Sequence, residues 1–160
     1  MKIFIFLLFI LTNLFSQNQS QVDIKADNFE SNQKKNIVKF MGNVIFTRDG
    51  DKLTSDKLDV FTKVDDTNQT VVRKYIASGK VNMKLKKPTT TIIARGEKIT
   101  YDVEKAIYII EGNGYLEDVN ESKIVKGEKI FMDQNTNNIK IDGKSNKPVE
   151  FKFKMGEQVK

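Results

Sequence analysis

The chain has no cysteine and no histidine among its 160 residues, and only two prolines. Without cysteine there is no disulfide framework, thiol nucleophile, thiolate metal site or lipoprotein acylation, and without histidine the usual general base and commonest metal ligand are missing. Most familiar enzyme mechanisms are therefore closed, and no catalytic residue, metal site or cofactor is expected. Paired carboxylates would still suffice for glycan hydrolysis, with Asp56 and Glu97 as the pair. Those two recur as Asp27 and Glu128 at equivalent places in a repeat described below, which marks them as strand-end or turn groups. Arginine is also scarce, with Arg48, Arg73 and Arg95 the full set, and neither a basic helix nor a zinc motif is present. The formal charge of +6, one less without Lys2, attracts anions in general, but these absences argue against a nucleic-acid partner. Beyond residue 16 no segment places apolar residues at i, i+3, i+4 and i+7, so little helix is expected.

One long apolar run is present. Residues 3–11 are uninterrupted, Thr12 and Asn13 break the run, and Ser16 precedes a polar stretch at 17–21. This layout predicts a signal peptide over 1–16, cut after Ser16, and export of a single domain over 17–160 into the periplasm. The run falls short of the ~20 apolar residues that cross a bilayer. An uncleaved N-terminal anchor is the alternative.

The rest of the chain repeats one unit four times. Its first element is small, acidic, polar, apolar: Ala26-Asp27-Asn28-Phe29, Ser55-Asp56-Lys57-Leu58, Gly96-Glu97-Lys98-Ile99 and Gly127-Glu128-Lys129-Ile130. Its second is a pair of alternating residues followed by glycine: Val38, Phe40, Gly42; Tyr75, Ala77, Gly79; Tyr108, Ile110, Gly112; Ile139, Ile141, Gly143. The small residue precedes the glycine by 16 positions in three copies and by 24 in the second. The extra residues fall at 63–70, a polar, turn-prone stretch expected to lengthen a surface loop. Side chains alternate with period 2 inside each unit, as Val81, Met83 and Leu85 do against Asn82, Lys84 and Lys86, which is the pattern of a half-buried strand. Turn-forming stretches such as Arg48-Asp49-Gly50-Asp51 link the runs, so neighbouring strands should be antiparallel. A glycine inside an alternating run points to a bend or bulge in a curved sheet, although Gly143 fits an ordinary hairpin equally well.

The strings Val38-Lys39-Phe40-Met41-Gly42-Asn43-Val44, Gly96-Glu97-Lys98-Ile99-Thr100-Tyr101, Ile110-Glu111-Gly112-Asn113-Gly114-Tyr115-Leu116 and Val125-Lys126-Gly127-Glu128-Lys129-Ile130 resemble the LptA/OstA-like family, over residues 22–143. The resemblance implies an all-β fold, an open antiparallel β-jellyroll of repeated strand units, whose apolar interior receives the acyl chains of lipid A. It implies lipopolysaccharide transport in the periplasm of a Gram-negative envelope, without enzymatic activity. It further implies end-to-end self-association and two partners, an inner-membrane LptC-like protein and an outer-membrane LptD-like translocon. With an uncleaved N-terminus the chain would instead be the LptC-like component of the same pathway.

Turning the apolar parity inward assigns to the lipid groove Val22, Ile24, Phe29, Val38, Phe40, Val44, Phe46, Leu58, Val60, Val81, Met83, Leu85, Ile99, Tyr101, Val103, Tyr108, Ile110 and Leu116. The competing reading is that these side chains fill a closed core and touch only each other. Buried lipid methylenes contribute ~0.8 kcal/mol each, so a plain apolar trough is enough to hold a multi-chain lipid. Lys34, Lys35, Lys84, Lys86, Lys87, Lys152 and Lys154 are either partners for lipid phosphates or a solvated outer face. Phe151, Phe153 and Met155 form an alternating stretch near the C-terminus, read as an open edge for assembly.

Overall fold

The computed structural model describes residues 21–155; the expected signal segment lies outside them. Ten strands follow in order: β1 (Val22–Lys25), β2 (Asn28–Asn32), β3 (Ile37–Arg48), β4 (Asp51–Val64), β5 (Thr70–Lys86), β6 (Thr91–Asp102), β7 (Ile107–Asp118), β8 (Lys123–Asp133), β9 (Asn138–Asp142) and β10 (Glu150–Lys152). No α-helix occurs among the described residues. A single 3-10 turn, Gln33–Lys35, is capped by the Asn32 side chain, which accepts from the Lys35 N–H at 3.0 Å.

All ten strands belong to one antiparallel sheet in which each long strand pairs with its sequence neighbours from β3 to β8. Each end of the sheet is made of two short strands side by side along one long strand. At the first end β1 and β2 both pair with β3; at the other β9 and β10 both pair with β8. The long strands thus have two halves, and the short strands extend one half each.

The two repeated patterns meet at the boundary between those halves. Met41 faces Lys57 and Val44 faces Ser55, so Gly42 and Asn43 together oppose Asp56, a bulge. The same shift recurs at Gly79-Lys80 against Glu97 and at Gly112-Asn113 against Glu128. Gly42 and Gly112 have φ of +80° and +76°, a region that costs little only for glycine, and the asparagine after each also has positive φ. In three units the acidic residue is bonded to the residue that follows the unit's own glycine. Asn43 Nδ2 donates to Asp27 Oδ2 at 2.8 Å, Asn113 Nδ2 donates to Glu97 Oε1 at 3.3 Å, and Lys144 pairs with Glu128 at 2.8 Å. The small residue has a steric reason as well: a Cβ on Gly96 would come within 2.8 Å of Ile110 Cγ2 and 3.0 Å of the Glu111 carbonyl. The expected bends are therefore one continuous seam across the sheet. Gly143 stands apart, since it follows β9 and enters the Lys144–Lys147 turn that leads to β10.

Folding along the seam brings the two inner faces together. One half contributes the register row Phe40, Leu58, Ala77, Ile99, Ile110 and Ile130, the other Phe46, Leu53, Met83, Ala94, Leu116 and Val125. Leu58, Ile110, Ile130, Val44 and Val81 are sealed completely, each worth about 1.5–3 kcal/mol relative to an exposed side chain. The extra residues of the second unit lengthen both a turn and the strands that flank it. Residues 65–69 form a surface turn as expected, while Lys63 and Val64 extend β4 and Thr70 begins β5, giving a paired ribbon with Lys63 opposite Val71 and Val64 opposite Thr70, because Thr70-Val71-Val72 are β-branched and suit a ladder. Asp65 closes the ribbon tip by accepting from the Thr67 and Gln69 N–H groups, each at 2.9 Å.

Candidate functional site: an apolar groove beside the open lip

At the seam the two halves of the sheet are joined by continuous strands; at the hairpin tips they are not. Toward the tips, Phe46, Leu53, Met83 and Leu85 of one half face Leu58, Tyr75, Tyr101 and Tyr108 of the other around a cavity of about 50 Å³ that opens to solvent. Arg48, Asp51 and Lys52 form its rim. Period 2 explains the side-chain directions, since residues 46 and 48 share a face, as do 51 and 53, and 83 and 85.

The far wall is a row of aromatic rings. Tyr75, Tyr101 and Tyr108 occupy facing register positions on β5, β6 and β7. Tyr101 stacks on Tyr108 with centroids 4.1 Å apart and lies parallel to Tyr75 at 6.5 Å, while Phe46 meets Tyr75 edge-on at 5.7 Å. Burial raises the phenol pKa of Tyr108 and of Tyr75, and the nearby Arg48 charge opposes both shifts. The Tyr75 and Tyr108 phenols are therefore neutral at any physiological pH and act as hydrogen-bonding tips on an apolar wall.

The residues assigned to the groove by parity divide into three groups. Phe46, Leu58, Met83, Leu85, Tyr101 and Tyr108 are brought together around the open space. Val44, Val60, Val81, Ile99, Ile110 and Leu116 are buried in the core, with Ile24, Val38 and Phe40 packed against it. Val22 and Phe29 lie on the edge strands, 43% and 64% exposed. Val103 falls just past β6, in the β6–β7 turn, where its N–H donates to the Arg73 carbonyl.

Five residues at the site were not assigned: Arg48, Asp51, Lys52, Leu53 and Tyr75. Leu53 and Tyr75 share the parity of assigned neighbours and were legible on that ground. Arg48 and Asp51 were passed over because a charged residue at a hairpin reads as solvated. Asp56 and Glu97, weighed as a hydrolytic pair, instead lie on the seam, beside the bulge glycines Gly79 and Gly112.

The C-terminal stretch also differs from its alternation. β10 covers only Glu150–Lys152, so Phe151 sits opposite Val125, while Phe153 and Met155 lie past the strand's end. The reason is that Lys152 already pairs with Ile124, one residue from the start of β8, and little partner strand remains beyond it. Lys34 and Lys35 are in the 3-10 turn, and Lys84, Lys86, Lys87, Lys152 and Lys154 are exposed away from the cavity.

A single antiparallel sheet folded along a bulged seam, open at its lips and apolar within, defines the class as an open β-jellyroll of repeated strand units. The chain belongs to the family described as LptA/(LptD N-terminal domain) LPS transport protein, whose model matches residues 23–138. Its fold is shared with LptH of Pseudomonas aeruginosa, described as the LptA homologous periplasmic component of the conserved lipopolysaccharide transport device. That likeness has a TM-score of 0.72 over 88% of this chain and 99% of that one, at 17% identity. No curated protein matches the chain.

Proposed function

We propose that this LPS transport protein works in the periplasm as a single domain, released by signal cleavage, which shields lipid A acyl chains in its groove and joins end to end with its own kind. The observation that carries the reading is that the apolar inner face runs uncapped to both ends of the sheet. At one end Phe29 packs on Phe40 with centroids 5.4 Å apart, and at the other Phe151 packs on Phe153 at 5.3 Å; all but Phe40 are more than half exposed. The remaining exposed large hydrophobics of the edge strands and their flanks, Val22, Ile139, Val149 and Met155, lie at the same two ends. Edge strands offer unpaired N–H and C=O groups, and adding a strand from another molecule satisfies them while aligning the two interiors. Such a contact is heterologous and need not close, which suits a bridge of several copies. The same edges would receive an inner-membrane LptC-like relative at one end and the LptD-like translocon at the other.

The test is a photocrosslinking contrast across one strand. A photoreactive residue at Tyr101, which faces the cavity, should label with lipopolysaccharide, and one at Thr100, on the opposite parity, should not. Equal labelling at both positions would mean that lipid does not enter between the two inner faces.

A further inference from the structure

The inner wall of the groove contains one guanidinium whose hydrogen-bonding capacity is unspent among the described residues. Arg48 is the last residue of β3 and faces Asp51 in the register, on the same inward parity as Phe46. Its ion pair with Asp51 spans 3.8 Å, longer than a hydrogen bond, and its side chain is 34% exposed. Asp51 is engaged elsewhere: its Oδ1 accepts the Lys86 N–H at 2.8 Å. The other two arginines differ, because Arg73 lies over the Phe61 ring at 5.8 Å and Arg95 over Tyr115 at 4.9 Å. Lys52 also borders the rim, but it is on the outward parity of β4, next to Leu53.

We infer that Arg48 is the anion-recognition residue of the groove, taking a phosphate of an acylated head group at the lip while the chains lie between the tyrosine row and Met83 and Leu85. This rests on the lipid-carrier reading and adds an orientation to it. Apolar walls alone hold chains in either sense, whereas a guanidinium at one lip fixes where the head group must be. Arginine suits the task because its planar fork meets two phosphate oxygens at once, and the low-dielectric wall beside it strengthens each charge-assisted bond. The phenol tips of Tyr75 and Tyr108, across the cavity and within the electrostatic reach of Arg48, offer donors to sugar or ester oxygens of the same head group.

The experiment is displacement of N-phenyl-1-naphthylamine, an uncharged apolar fluorophore, from the exported chain. The competitors are diphosphoryl lipid A and the same lipid with its phosphates removed. Arg48→Gln should raise the half-displacing concentration of the phosphorylated lipid about tenfold, the loss expected for charge-assisted hydrogen bonds, and leave the dephosphorylated lipid unchanged. Arg48→Lys should recover part of the difference. Asp51→Asn keeps an acceptor for the Lys86 N–H but removes the competing charge, so it should tighten the phosphorylated lipid alone. Equal shifts for both lipids, or no shift in any variant, would overturn the assignment. Inorganic phosphate should not compete; if it erases the difference between the two lipids at micromolar concentration, Arg48 holds a free anion and the head-group assignment fails. A parent protein that does not bind the fluorophore at all would instead sink the carrier reading itself.

Discussion

The seam and the lip are made from the same repeated strands and obey opposite rules. At the seam every copy supplies a carboxylate and a small residue, the first three add a bulge glycine, and the space is so tight that Ile110 fills the place a Gly96 side chain would need. At the lip Phe46, Tyr75, Tyr101 and Tyr108 line a small cavity, and Arg48 and Asp51 border it. A folded sheet can afford one open side only if the other is closed without error. The difference teaches that close packing is concentrated where the strands bend, and that the space left over lies at the lip.

That contrast is most exposed to failure in the sealed layer. Ile110→Ala, at a fully buried position, should cost about 4 kcal/mol in urea unfolding, since the seam cannot collapse onto the cavity. Tyr101→Ala at the lip should cost clearly less, because its ring already borders open space, while weakening fluorophore uptake more. Equal losses of stability would mean that the lip is as integral to the core as the seam.

A smaller effect is expected at the bulge itself. Gly112→Ala places a side chain at φ +76° with its Cβ 2.7 Å from that of Glu97, and should lower stability by about 2 kcal/mol. Gly50→Ala also has a positive φ, +89°, but it sits in the β3–β4 turn, where the nearest atom is the flexible Lys86 Cδ at 3.2 Å. It should therefore be the milder of the two, and a reversal would show that backbone strain, common to both, outweighs the packing of the seam.

The smallest effect is ionic. The Lys144 ammonium, hydrogen-bonded to Glu128, holds that carboxyl below the ordinary glutamate range, and Lys126 does the same for Glu150. A depressed carboxyl binds protons more readily in the unfolded chain, so its contribution is present above the ordinary glutamate pKa and is lost as pH falls through the lowered folded value. Acid melting curves of Lys144→Ala should accordingly be slightly flatter below the ordinary glutamate pKa than those of the parent. Both pairs are solvated, and an identical acid limb would show that the seam's last copy owes nothing to its charge.

Strand parity, the antiparallel order and the seam were legible in the chain because they are local or periodic. A strand's two faces alternate every residue, and each bulge glycine follows a carboxylate of its own unit, at the same distance in the first and third units. Depth was not legible in the same way. Period 2 tells which face a residue such as Ile110 or Tyr101 takes, but whether that face is sealed or open depends on how the other half of the sheet folds over it. The second unit's insertion was legible as a turn at 65–69 but not in the strands beside it, since polar residues at a ribbon tip look alike whether the flanking strands stop or continue. Arg48 is the sharpest case: its parity with Phe46 points it inward, but only the closure of two distant strand halves places a cavity in front of it. Local sequence sets the direction of a side chain, and the long-range packing of the folded sheet sets what that side chain meets.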